Sequence, residues 1–170
     1  MPPDGTAPRA PGDWVLLSYR VPREPSTPRI AVWRKLKRLG VAQLADGVVA
    51  LPADARTREH LEWLADEILD LGGTAGIWVA RPAAVSQERE LASSMAAARA
   101  TEYHAITEEA MAAAHLPENR RLSTARRLRA EMRRVNRRDY FPPPERERAR
   151  RAIDGLRHPA APDRAQETER

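Results

Sequence analysis

The chain has 170 residues, of which 42% are hydrophobic and 31% charged, with no cysteine and a formal net charge of +5. That length suits one domain, or a small domain with a helical extension. The lack of cysteine excludes disulfides, thiol nucleophiles and thiolate metal sites, and no run approaches the roughly 18 apolar residues of a membrane span.

The opening residues 1–12 carry no basic segment followed by an apolar one, so they read as a disordered tail rather than a secretory signal, and a cytoplasmic location is expected. Residues 14–19 then form a short apolar run suited to one buried strand, and Pro22 and Pro25 break it. Thr27 before Pro28 reads as a helix N-cap followed by proline at the first helical position. Ile30, Trp33, Leu36 and Leu39 recur behind it at helical spacing, and Gly40 closes the helix. Its other face carries Arg34, Lys35, Lys37 and Arg38 without an acid.

Asp46-Gly47 between the apolar runs 41–45 and 48–51 predicts a hairpin with a type I′ turn, in which both central residues take positive φ. Pro52 ends the second strand. Leu61, Leu64, Ile68 and Leu71 mark an amphipathic helix with an acidic face (Glu59, Glu62, Asp66, Glu67, Asp70), stopped by Gly72-Gly73, and a last strand covers 75–80. The order β-α-β-β-α-β predicts an α+β, ferredoxin-like split-βαβ domain over 13–82: a four-stranded antiparallel sheet with both helices on one face.

A helical extension is expected over 83–157. Ser86 reads as the cap of a long alanine-rich helix ending near His115, with Leu91, Met95, Tyr103 and Ile106 along it, and Pro117 breaks it. Leu122, Ala125, Leu128, Met132 and Val135 form a narrow seam on the next helix, suited to an antiparallel helical hairpin. Prolines 142–144 follow, then a final helix with Ala149, Ile153 and Leu156, and a second disordered tail over 158–170.

All basic residues except Lys35 and Lys37 are arginines, which with abundant Ala and Pro fits a GC-rich genome, so placement matters more than number. Residues 120–138 hold nine arginines (Arg120, Arg121, Arg126, Arg127, Arg129, Arg133, Arg134, Arg137, Arg138) against one acid, Glu131. Such a row suits phosphates and counterion release. The competing reading is a solvated face, or one neutralised by the acidic helices at 59–70 and 102–109. No aromatic residue interleaves the row, so base stacking is not indicated. A second basic set comprises the first helix (Arg29, Arg34, Lys35, Lys37, Arg38) and its preceding loop (Arg20, Arg23). There Tyr19, Arg20, Arg23 and Arg29 read as an oxyanion site, against the plainer reading of solvated surface arginines.

Histidines 60, 104, 115 and 158 have no metal-ligand spacing. Serines 18, 26, 93 and 94 lack a glycine elbow or a base. No catalytic residue, metal or cofactor is therefore expected, and an enzyme would need a ligand or metal beside Tyr19, Arg20, Arg23 and Arg29. Trp14, Trp33, Trp63 and Trp78 read as core anchors rather than a ligand-binding aromatic box.

The run Tyr19-Arg-Val-Pro-Arg-Glu-Pro-Ser-Thr-Pro-Arg-Ile-Ala-Val-Trp-Arg-Lys-Leu-Lys-Arg-Leu-Gly40 resembles the opening of ChrB-type chromate-resistance regulators, most specifically over 26–40. Asp46-Gly-Val-Val-Ala-Leu-Pro52, Thr57-Arg-Glu-His-Leu-Glu-Trp-Leu64 and Arg137-Arg-Asp-Tyr-Phe-Pro142 are similar to the same family, so the resemblance covers about 13–157. It implies a transcriptional regulator of a chromate-efflux operon that binds operator DNA and is released by chromate. It also implies a core like the central domain of PaaX-type repressors, related to the Cas2 nuclease fold. The family's C-terminal domain is not expected within this chain, which puts chromate sensing in doubt. Ser18-Tyr19-Arg20 stands where Cas2-type nucleases place an aspartate, which counts against metal-dependent cleavage.

The leading expectation is a non-catalytic DNA-binding regulator that contacts double-stranded operator DNA through Arg120, Arg121, Arg126, Arg127, Arg133, Arg134, Arg137 and Arg138, assisted by Arg34, Lys35, Lys37 and Arg38. This reading admits an oxyanion effector such as chromate and a homodimer. The alternative is an interaction or oligomerisation module serving a separate sensor or enzyme chain.

Overall fold

A computed structural model of the chain describes residues 12–157. The expected tails therefore lie outside the described residues, apart from Gly12, whose N–H donates to Glu88 Oε1 at 2.7 Å. The elements are β1 (Trp14–Arg20), α1 (Ser26–Leu39), β2 (Ala42–Ala45), β3 (Val48–Pro52), α2 (Ala55–Asp70), β4 (Thr74–Ala80), α3 (Val85–Ala113), α4 (Glu118–Asn136) and α5 (Glu145–Gly155). They fold as two compact units. Among the described residues, one holds 12–97 together with 138–141, and the other holds 98–137 and 142–157. The division falls inside α3, whereas the sequence reading put its boundary before that helix.

In the first unit four antiparallel strands lie in the order β2-β3-β1-β4, the split-βαβ arrangement that the element order predicts. Strand alternation sorts the sheet's two faces. Val15 and Leu17 pair in register with Leu51 and Val49, and all four are wholly buried with Val32 and Leu36 of α1 and Leu61, Leu64 and Ile68 of α2. On the alternate residues, Trp14 stacks on Phe141 with ring centroids 6.0 Å apart, and the Tyr140 hydroxyl donates to the Leu39 carbonyl at 3.1 Å.

Three local expectations are corrected. Helix α1 begins at Ser26, with Pro25 in the capping position and no side-chain cap bond. Thr27 already lies inside the first turn, so its hydroxyl does not cap. Its buried stripe is Val32 and Leu36, with Leu39 partly buried, rather than Ile30, Trp33, Leu36 and Leu39. At 3.6 residues per turn each three-residue step falls about 60° short, so three such steps in a row wind half-way round a helix. Spacings of four and three keep Val32, Leu36 and Leu39 together. In the hairpin only Gly47 has positive φ (72°), so the turn is not type I′, and a register shift between Gln43 and Ala45 absorbs the difference.

The tryptophans are a larger correction. Trp14 is buried (2% exposed), but Trp33, Trp63 and Trp78 are 56%, 63% and 61% exposed. Trp63 lies across α2 from its Leu61–Leu64–Ile68 stripe. Trp78 pairs in register with Leu16 on an edge strand, on the face away from α1 and α2.

Helix α2 starts with a capping box that the sequence reading missed. The Thr57 N–H donates to Asp54 Oδ1 at 2.7 Å, and the Asp54 N–H donates to Thr57 Oγ1 at 3.0 Å. Thr57 is fully buried, and its hydroxyl donates to the Pro52 carbonyl at 2.6 Å. The hydrogen bond from the Thr57 amide holds the Asp54 carboxyl below its ordinary value. That stabilisation is complete above the unfolded pKa of about 3.9 and is lost as pH falls through the folded value. Asp54→Ala should cost about 1 kcal/mol. Asp54→Asn should cost less but abolish this site's share of acid sensitivity, as urea denaturation at neutral and acidic pH would report.

In the second unit the far part of α3, α4 and α5 share one core: Tyr103, Ile106, Ala110, Ala125, Leu128, Met132, Val135, Ala149, Ile153 and Leu156 are all buried. The seam expected on α4 is thus observed, with Leu122 only half-buried. The final helix joins the same core, so the unit is a three-helix arrangement rather than a hairpin. The Tyr103 hydroxyl donates to Asn136 Oδ1 at 2.7 Å.

Candidate functional site

On α4 the buried residues Ala125, Leu128, Met132 and Val135 fix which side chains point outward. Arg120, Arg126, Arg127, Arg133, Arg134 and Arg137 are exposed, while Arg121, Arg129 and Arg138 are half-buried. Arg126, Arg133 and Arg137 follow one another on one side of the helix, seven and four residues apart, or about 10 Å and 6 Å at 1.5 Å per residue.

Some of the row is already engaged. Arg127 is ion-paired with Glu109 of α3 and lies 3.6 Å from Glu131. Arg129 pairs with Asp154 of α5 at 3.1 Å, and Arg121 Nε donates to the Leu156 carbonyl at 2.8 Å. Arg120, Arg126, Arg133, Arg134 and Arg137 have no carboxylate partner among the described residues. The charge expected of this helix therefore divides into an internally neutralised part and an outward part.

On α1, Lys35 is ion-paired with Glu67 of α2. The Lys37 ammonium sits 5.4 Å from the centroid of the Trp33 ring, a cation–π contact. Arg34 and Arg38 are exposed.

The end of β1, the first turns of α1 and the β2–β3 turn border an open surface cavity of about 570 Å³, whose lining includes Tyr19, Arg20, Arg29, Ile30, Trp33 and Asp46. Tyr19, Arg20 and Arg29 are thereby brought together. Arg23 is not among them, and lines a smaller cavity of about 290 Å³ with Arg20 and Gly73. The residues of the α1 N-terminus, 26–28, do not line the larger cavity. Burial raises the Tyr19 phenol above its ordinary value, and the Asp46 carboxylate adds to the effect, so Tyr19 offers a hydroxyl donor at neutral pH. Ile30, Trp33 and Asp46 were not singled out as site residues in the sequence. The usable signal was the three-residue spacing that carries Ile30 and Trp33 off the buried stripe.

Elsewhere the chemistry is sparse. Among the described residues, no group of three His, Asp or Glu side chains could hold a metal ion. His60 lies against Trp63 at 6.3 Å, and His104 lies 3.3 Å from Glu108. Ser18 Oγ accepts from Trp78 Nε1 at 3.3 Å, and Ser94 Oγ donates to the Leu91 carbonyl at 2.9 Å. No helix among the described residues is long and apolar enough to cross a membrane.

Residues 29–112 match the family model described as Protein ChrB, N-terminal. This segment belongs to the ChrB family. A curated relative, Protein ChrB of Cupriavidus metallidurans, is 32% identical over 90 residues, covering 53% of this chain and 27% of the relative. The chain thus matches about a quarter of that ChrB's length. No solved structure matches. The ChrB resemblance read from the sequence is supported over 29–112. The ChrB segment runs from α1 to nearly the end of α3, so it contains Arg29, Ile30, Trp33 and Asp46 of the cavity. The α4 arginines lie beyond it.

Proposed function

We propose that this ChrB-type chain is a cytoplasmic, non-catalytic DNA-binding regulatory protein of the chromate-resistance kind. Arginines 120, 126, 133, 134 and 137 of α4 contact duplex phosphates, and Arg34 and Arg38 of α1 assist. The supporting observation is the outward set of α4 guanidiniums without carboxylate partners, alongside Arg127 and Arg129, which do have them. Guanidiniums already paired release no counterions, whereas free ones add to the salt dependence of binding. Operator recognition is the regulatory part of this reading, and an anionic effector, chromate or another, would act through the cavity beside Tyr19, Arg20 and Arg29. Fluorescence anisotropy with a labelled duplex across a salt series tests it, since affinity that is absent at low salt or indifferent to salt would remove it.

A second reading, an interaction module for a separate sensor or enzyme chain, draws on exposed Trp78 and Leu44, which lie on the sheet face away from α1 and α2. Under that reading light scattering detects a dimer or a hetero-complex that Trp78→Ala weakens. A monomer with and without the substitution counts against it.

A further inference from the structure

At about 570 Å³ the cavity at the end of β1 falls within the roughly 300–1,000 Å³ of small-molecule sites. Its walls are chemically divided. Trp33 and Ile30, large apolar side chains that α1 leaves 56% and 44% exposed, form one part. Tyr19, Arg20 and Arg29 also line it, and neither arginine is ion-paired among the described residues. Asp46 is the one carboxylate in the lining.

A bare tetrahedral oxyanion such as chromate uses only part of this site. It has no apolar surface to lay against Trp33 and Ile30, it fills a small fraction of the volume, and its negative charge is repelled by Asp46. We infer that the cavity binds an organic anion with a flat apolar body, its anionic group on Arg20 and Arg29, its ring against Trp33 and Ile30, and a hydroxyl or amine donating to Asp46. Each part of the lining then has a partner: charge-assisted hydrogen bonds hold the anion, and ring burial gives the preference over an inorganic ion. The inference names the effector class for the regulatory reading but rests on the cavity alone, so DNA binding can fail without it.

The test is titration of the isotope-labelled full chain by NMR with three probes: inorganic phosphate, phenyl phosphate and 4-aminophenyl phosphate. Saturable shifts of the Trp33 indole N–H and the Gly47 amide are expected with both aryl phosphates, strongest with the amino compound, and about tenfold or more weaker with inorganic phosphate. Joint Arg20→Ala and Arg29→Ala substitution should weaken phenyl phosphate by about tenfold or more. Trp33→Ala, at a mostly exposed position, should erase the preference for phenyl phosphate over phosphate, which keeps the test valid if the double variant does not fold. Asp46→Asn should weaken the amino compound and strengthen inorganic phosphate. Replacing the α4 arginines should leave all three titrations unchanged. Inorganic phosphate or chromate binding as tightly as phenyl phosphate overturns the inference, as does the absence of saturable shifts with both aryl phosphates.

Discussion

Joint replacement of Arg133, Arg134 and Arg137 by glutamate is expected to abolish duplex binding at physiological salt while leaving the helical unit folded. These side chains are exposed and lie opposite the Ala125–Leu128–Met132–Val135 core, so their removal touches no packing. If the five outward arginines each neutralise one phosphate, the slope of log affinity against log salt is about −4.5, a loss of roughly 500-fold between 50 and 200 mM salt. Truncating the same three to alanine should bring the slope to about −2, and the reversed charges add repulsion. Arg127 is the internal control. Glu109 and Glu131 already face it, so Arg127→Ala should change the slope much less than Arg133→Ala. Equal effects at the two positions would show that binding follows net charge rather than this outward row. Circular dichroism on each variant separates lost contact from lost fold.

Gly47→Ala should strongly destabilise the sheet unit. Gly47 has φ 72°, and a Cβ there would lie 2.5 Å from the Tyr19 carbonyl oxygen. That oxygen belongs to a strand end tied to the same turn, since the Tyr19 N–H donates to the Gly47 carbonyl at 2.7 Å. An L side chain in the left-handed region costs about 1–2 kcal/mol, and the forced shift of β1 adds about 1–3 kcal/mol. Gly72 separates the two terms, because its φ is 75° but no atom lies within 4 Å of its added Cβ. Gly72→Ala should therefore cost only the backbone part, about 1–2 kcal/mol. For a unit of this size, each kcal/mol lowers Tm by about 4–8 °C, which thermal denaturation resolves. Matching losses at the two glycines would disprove the close approach of the turn to β1. Because Tyr19 and Gly47 both line the cavity, Gly47→Ala should also weaken aryl phosphate binding.

Much of the fold was legible from local rules. Short apolar runs marked β1 and β3, Asp46-Gly47 marked the hairpin even though its turn type differs, and the Leu61–Leu64–Ile68 stripe placed α2. Spacings of three and four on α4 identified Ala125, Leu128, Met132 and Val135 as core. The site was less legible. Four tryptophans in a chain with one phenylalanine suggest anchors, yet three are largely exposed, since hydrophobicity alone does not say which side of an element a residue occupies.

Sequence alone thus determined the element order, the antiparallel α+β architecture, the ChrB resemblance and the concentration of arginine on one helix, because each depends on neighbours within a few residues. Tertiary structure decided which of those arginines are spent and which face outward. Glu109 and Asp154 lie 18 and 25 residues from the arginines they pair with, and such partners meet only when helices pack. It also decided that Tyr19, Arg20, Arg29, Trp33 and Asp46 border one cavity, since a strand end, a helix and a turn reach the same place only once the sheet has formed.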